Sequence, residues 1–145
     1  MRRVLSWSLA VAILLAGGTW AAVALQERAT FGTKITEADL TVEVDEGDRF
    51  SLAVPDRGAS VGDAWSATVT PDGVVAAVED RKVMSNVRDR VLGPQAGGGA
   101  GTRYFIYTAE APGTVRIRLA NCFQGCRDDY SRGLSREVTW TVTVG

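Results

Sequence analysis

The feature that most constrains the fold is an alternation of apolar and polar residues that runs from residue 40 to the carboxyl terminus. Its clearest stretch is residues 138–144, where valine and tryptophan alternate with threonine. Successive side chains of a strand point to opposite faces, so this pattern predicts strands with one buried and one solvated face. Turn residues recur at short intervals and no long helical pattern intervenes. The sequence therefore predicts an all-β domain, an immunoglobulin-like β-sandwich of about seven strands over residues 40–145.

Turn residues also predict how the strands are joined. Residues 40–44 and 50–54 flank an acidic turn, and Pro112-Gly113 separates two more strands, so we expect each pair to form a hairpin. For residues 79–96 we expect a short strand near residues 82–84 and then a long loop. The inward positions predicted to form the core include Phe105, Tyr107, Ala109, Val115, Ile117, Leu119, Trp65 and Trp140.

The first 25 residues form a separate segment. Arg2 and Arg3 precede an uncharged run over residues 4–25, which is long enough to cross a bilayer. This run is interpreted either as a retained signal anchor or as a signal peptide cleaved near Ala24, after small residues. In both cases the positive residues stay in the cytoplasm, which predicts an extracytoplasmic domain, membrane-anchored or secreted. Residues 26–39 are expected to be a linker.

Charge and composition narrow the function. Without Arg2 and Arg3, residues 26–145 carry 14 basic and 17 acidic side chains, which disfavours nucleic-acid binding. The chain has no histidine, so neither a Ser-His-Asp nor a Cys-His catalytic arrangement is available. We expect no enzyme activity and no cofactor.

The two cysteines, Cys122 and Cys126, are four positions apart. In an extracytoplasmic domain this spacing favours a small-loop disulfide. Zinc is a poor alternative because the chain offers no third cysteine and no histidine. We therefore expect a disulfide and no metal. The bridge is expected either to present Phe123 and Gln124 on a rigid tip or only to stabilise its own loop.

The strands from residue 50 onward follow a recognisable framework. Its parts are Phe50-Ser51-Leu52, Gly62-Asp63-Ala64-Trp65, Phe105-Ile106-Tyr107-Thr108-Ala109, Pro112-Gly113, Val115-Arg116-Ile117-Arg118-Leu119 and the closing strand over residues 139–144. In this order the framework resembles the chagasin-like family of cysteine-protease inhibitors. Members of that family are immunoglobulin-like sandwiches that wedge three loops from one end into papain-type active sites.

The resemblance implies three partner-binding loops. The first comprises Gly58, Ala59, Ser60, Val61, Gly62 and Asp63, and differs from the N-P-T-T-G motif of the family. The second is glycine-rich like its family counterpart and comprises Gly98, Gly99, Ala100 and Gly101. The third replaces the R-P-W motif with the segment from Cys122 to Cys126.

Glycine lets a backbone approach a partner closely, although a glycine run also serves as a plain flexible connector. We predict a protein-binding module whose partner is a papain-type protease. The alternative is a non-inhibitory structural or interaction domain of the cell envelope.

Overall fold

A computed structural model describes residues 20–93 and 99–145. Two four-stranded sheets pack face to face. Helix α1 occupies residues 20–31 and is followed by β1 (Thr33–Ile35), β2 (Thr41–Val44), β3 (Arg49–Asp56), β4 (Trp65–Thr70), β5 (Val75–Met84), α2 (Val87–Leu92), β6 (Gly101–Ala109), β7 (Gly113–Asn121), a 3-10 turn (Phe123–Cys126), α3 (Asp129–Leu134) and β8 (Arg136–Val144). The predicted all-β sandwich is confirmed, with eight strands described where about seven were expected.

One sheet has the strand order β1-β3-β6-β5 and the other has the order β2-β8-β7-β4. Their facing sides form one core, since side chains alternate along each strand. The predicted inward positions of β6 and β7 are buried, as expected. Trp140 is fully buried and its indole N–H donates to the Thr36 carbonyl over 3.2 Å, whereas Trp65 is half-buried against the core edge.

Both predicted hairpins are wrong. β2 pairs in parallel with β8, and β3 pairs with β6 in the other sheet. Likewise β6 and β7 lie in different sheets, so the turn before Gly113 crosses the core rather than closing a hairpin. The reason is that both sheets bury their apolar faces against the same core, so alternation is identical for a hairpin and for a turn between sheets.

Residues 26–39 are not the linker that we expected. They contain the end of α1 and the whole of β1, which pairs in parallel with β3. Burial explains why this segment is ordered: Ile35 enters the core, and the Phe31 ring packs at a tilt against Tyr104, with a centroid distance of 4.8 Å.

Residues 1–19 of the expected signal or anchor segment lie outside the described residues. Among the helices within residues 20–93 and 99–145, none combines the length and apolar character needed to cross a membrane.

Candidate functional site

The three long connections between strands all lie at one end of the sandwich. They join β3 to β4, β5 to β6, and β7 to β8. The antiparallel registers place Asp56 beside Gly101, Gly101 beside Met84, and Asn121 beside both Trp65 and Arg136. We call this end, formed by residues 57–64, 85–93, 99–100 and 122–135, the loop end. The short turns at residues 45–48, 71–74 and 110–112 lie at the opposite end.

The first loop, residues 58–63, lies between the other two. On one side, a Cβ added at Gly58 would be 3.4 Å from the carbonyl oxygen of Gly99 in the second loop. On the other side, the Gln124 backbone N–H donates to the Gly62 carbonyl over 2.8 Å, and its side-chain amide donates to the Val61 carbonyl over 3.3 Å. The structure therefore brings the three predicted loops together.

The first loop is folded tightly on itself. The Gly58 carbonyl accepts the backbone N–H groups of Val61, Gly62 and Asp63 at 3.1–3.2 Å. Gly62 has φ +119°, and a Cβ there would be 2.4 Å from Cγ of Gln124. Glycine is thus required at this position both by the backbone conformation and by the close approach of the third loop.

A buried carboxylate anchors the start of this loop. Asp56 accepts the backbone N–H of Gly58 over 2.7 Å, the Arg103 Nε over 2.7 Å and the Lys82 Nζ over 3.2 Å. Arg103 also pairs with Asp80. Burial raises the pKa of Asp56, but the hydrogen bonds from Arg103, Lys82 and Gly58 outweigh burial and hold that pKa below its ordinary value.

A second buried carboxylate anchors the end of the loop. Asp63 accepts the Arg57 backbone N–H over 2.7 Å, the Arg57 Nη2 over 2.6 Å and the Asn121 Nδ2 over 2.9 Å. Burial raises the pKa of Asp63, and the bonds from Arg57 and Asn121 more than reverse that effect, so the pKa lies below its ordinary value. Asp63 was expected to face a partner. It lies inside instead, because its carboxylate ties the first loop to the last residue of β7.

The sequence carries a signal for these anchors. Asp56 continues the inward series Phe50, Leu52 and Val54, and Asn121 continues the inward series of β7. A carboxylate or amide at an inward strand position must find hydrogen-bond partners. The core therefore ends in a polar layer directly beneath the loop end, and this layer fixes the first loop in one conformation.

The third loop is closed by the predicted disulfide between Cys122 and Cys126, whose Cα atoms are 5.3 Å apart. Gln124 is exposed, as predicted. Phe123 is not: it is buried, and the Arg57 guanidinium lies 4.5 Å from the centre of its ring. The prediction of an exposed Phe123 is wrong because the aromatic ring fills the space between this loop and the first loop.

The second loop agrees in part with the prediction. Gly98 lies outside the described residues. Gly99 is half-buried and Ala100 is exposed. Gly101 is the first residue of β6 and is buried, with a hypothetical Cβ only 2.3 Å from the Val83 carbonyl oxygen. Its glycine serves the close approach of β5 and β6, so its prediction as a partner contact is wrong.

Residues 79–96 also differ from the sequence interpretation. The short strand expected there is the end of a ten-residue strand, β5, and the expected loop contains α2.

The loop end presents exposed apolar side chains on all three connections: Val61, Val87, Val91, Leu92 and Tyr130. Such side chains suit contact with another protein. In the part of the chain that the structure describes, no three acidic or cysteine side chains cluster as ligands for a metal ion.

Comparison by structure finds similar proteins, whereas comparison by sequence with family models and curated proteins finds none. No protein-family model matches the chain, and no curated protein matches it by sequence. By structure the chain is similar to the cysteine protease inhibitor EhICP2 from Entamoeba histolytica (TM-score 0.56, 17% identity, 78% of this chain and 95% of the other covered). It is also similar to amebosin (TM-score 0.55, 16% identity, 78% and 97% covered) and to PbICP-C in its complex with falcipain-2 (TM-score 0.51, 12% identity, 79% and 92% covered).

These likenesses cover most of this chain and nearly all of each neighbour. At such low identity they establish the fold and leave the activity to be argued from the loops. The chain has, in divergent form, the fold of the chagasin-like cysteine-protease inhibitors.

Proposed function

We propose that this protein binds a papain-type cysteine protease and blocks its cleft with the loop end. The observation that carries the proposal is the joining of the three connections at one end of a sandwich, with exposed apolar side chains on each. A cleft-filling inhibitor needs such a projecting, multi-loop surface. The fold shared with proteins described as cysteine protease inhibitors supports the same partner class.

Rigidity of the first loop favours tight binding. Asp56 and Asp63 hold its two ends through eight hydrogen bonds from Gly58, Lys82, Arg103, Arg57 and Asn121. A loop that is already fixed in one conformation loses little entropy when it enters a cleft. The loop end is therefore built to bind at low entropic cost.

The same rigidity favours inhibition over cleavage. The Gly58 carbonyl gathers three N–H groups of its own loop, so the backbone there is coiled rather than extended. Unwinding it into an extended substrate would break these bonds and those to Asp63. We therefore expect the protein to survive prolonged incubation with the protease without a cut between residues 57 and 64.

The experiment is a titration of a papain-type protease with the purified protein, with hydrolysis of a small fluorogenic peptide as the readout. We expect reversible, competitive inhibition. Val61→Asp should weaken it, because Val61 is 48% exposed on the first loop. Val78→Asp is the matched control, since Val78 is 45% exposed on β5, away from the loop end. Full protease activity at a micromolar excess of the wild-type protein would reject the proposal and favour a non-inhibitory envelope domain.

We further propose an extracytoplasmic setting, anchored or secreted. The disulfide supports an oxidising compartment. The position of α1 is also compatible with an anchor, because α1 and the loop end lie at opposite ends of β3. The Ala29 carbonyl of α1 accepts a hydrogen bond from Arg49 at the start of β3, whereas the loop end follows Asp56 at the end of this strand. An anchor that precedes α1 would leave the loops free. Periplasmic or external activity of a reporter enzyme fused after residue 145 tests this setting, and activity confined to the cytoplasm would contradict it.

A further inference from the structure

Helix α2 exposes all of its apolar side chains. Its apolar residues Val87, Val91 and Leu92 are 68%, 75% and 74% exposed. A surface helix normally turns its apolar side toward the core. Within this helix no residue is buried, so the apolar ridge formed by these three side chains has no partner in the described chain.

The polar groups around α2 hold it in this orientation. The Arg90 Nε donates to the Met84 carbonyl over 2.5 Å, and the Asn86 side chain caps the helix by accepting the Arg88 N–H over 2.8 Å. The Asp89 carboxylate lies against Gly99, 3.3 Å from the position a Cβ would take there. A six-residue helix is too short to be stable alone, so these contacts fix which side faces outward.

The ridge adjoins the other parts of the loop end. Asp89 contacts Gly99, and Gly99 in turn lies beside Gly58 in the first loop. A protein that covers the first and second loops therefore also reaches α2. This continuity identifies the occupant as the same partner that the loop end binds.

The size of the ridge argues against a second copy of this chain as the occupant. Three side chains at these exposures offer roughly 350 Å², so a symmetric pair would bury roughly 700 Å², whereas a specific interface needs about 1,000 Å² or more. The ridge becomes sufficient only as an extension of a larger contact, and the rest of the loop end provides that contact.

We propose that α2 is a specificity element, whose ridge docks on an apolar surface beside the cleft of the protease. This inference rests on the proposed function. A protease with an uncharged, apolar patch at that place gains buried area, whereas one with charged side chains there must desolvate them against valine and leucine. The helix therefore selects among papain-type proteases, while the three loops fill the cleft that these proteases share.

The test compares inhibition constants for several papain-type proteases, using the full chain and a variant with Val87→Ser, Val91→Ser and Leu92→Ser. We expect the constant for the most tightly inhibited protease to rise at least tenfold and the differences among proteases to shrink. The unfolding midpoint should not change, because all three side chains are exposed. The matched control carries Leu40→Ser and Val78→Ser, both at sites 45% exposed and away from the ridge.

The outcomes separate the two proposals. Equal inhibition by the wild type and the triple variant overturns the role of α2 and leaves the proposed function standing. An equal loss in the control variant also overturns it. Absence of inhibition by the wild type rejects the proposed function and the role of α2 with it. A wild-type dimer in sedimentation that the triple variant abolishes would make a second copy the occupant and so contradict the inference.

Discussion

The buried carboxylate of Asp63 offers a sharp test of how the loop end is held. Asp63→Asn keeps the shape of the side chain but replaces one accepting oxygen with an NH2 group. One oxygen of Asp63 accepts from Asn121 Nδ2 and from Arg57 Nη2, and the other accepts from the Arg57 backbone N–H. If the NH2 group replaces the first oxygen, Asn121 Nδ2 and Arg57 Nη2 both lose their acceptor. If it replaces the second oxygen, the Arg57 backbone N–H loses its acceptor and Arg57 Nε keeps only its bond to the first oxygen.

The cost follows from burial. A buried donor without a partner costs about 1–3 kcal/mol. The Arg57 side chain is 42% exposed, so its lost ion pair is screened and adds at most about 1 kcal/mol. We therefore expect Asp63→Asn to lower the free energy of unfolding by about 1–4 kcal/mol.

The assay is equilibrium unfolding in urea, followed by circular dichroism. Asp129→Asn is the matched control, because the Asp129–Arg132 pair has the same N–O distance of 2.6 Å as Asp63–Arg57 but a fully exposed carboxylate. We expect the control to unfold like the wild type. If Asp63→Asn loses no more stability than Asp129→Asn, the polar layer does not hold the first loop, and the argument from rigidity fails.

Three further predictions concern the same region. The pKa values of the buried carboxylates Asp56 and Asp63 are lowered in the folded state, so the stability that they add is complete above about pH 5 and is lost as the pH falls below about 4. Asp63→Asn should therefore flatten the pH dependence of the free energy of unfolding, measured from pH 2 to 7. An unchanged slope would contradict this expectation. Gly101→Ala should cost about 1–3 kcal/mol in urea unfolding, because the new Cβ meets a backbone carbonyl of β5, whereas Gly133→Ala in open space should cost nothing; equal effects would refute the close-approach argument. Replacing Cys122 and Cys126 with serine should lower the free energy of unfolding by about 2 kcal/mol, because the disulfide closes only a small ring. It should also weaken inhibition, because Gln124 would no longer be held against the first loop. Inhibition at the wild-type level would show that the bridge only stabilises its own loop.

The burial pattern of the sandwich could be predicted from sequence, whereas its connectivity could not. Alternation along β7 and β8 identifies their buried faces, since period two belongs to strands alone. The same alternation says nothing about which sheet a strand joins. The turns at residues 45–48 and 110–112 carry the chain across the core, and their residues would serve a hairpin equally well.

The candidate site was predicted as three loops but not as an anchored surface. Asp56 and Asn121 stand at inward positions that the alternation identifies, so a buried polar layer could have been expected. Their partners could not: Lys82 and Arg103 reach Asp56, and Asp63 reaches Asn121, only through the fold. The outward face of α2 is equally hidden in the sequence, because its direction depends on contacts of Arg90 and Asp89 with β5 and the second loop.

The most direct test of the central claim is amide hydrogen exchange of this protein, with and without a papain-type protease whose catalytic cysteine is replaced by alanine. We expect slower exchange on binding within residues 57–64, 85–93 and 122–127, and no change at the turns 45–48, 71–74 and 110–112. Protection at those turns, or no protection anywhere at saturating protease, would contradict the claim that the loop end is the protease-binding surface.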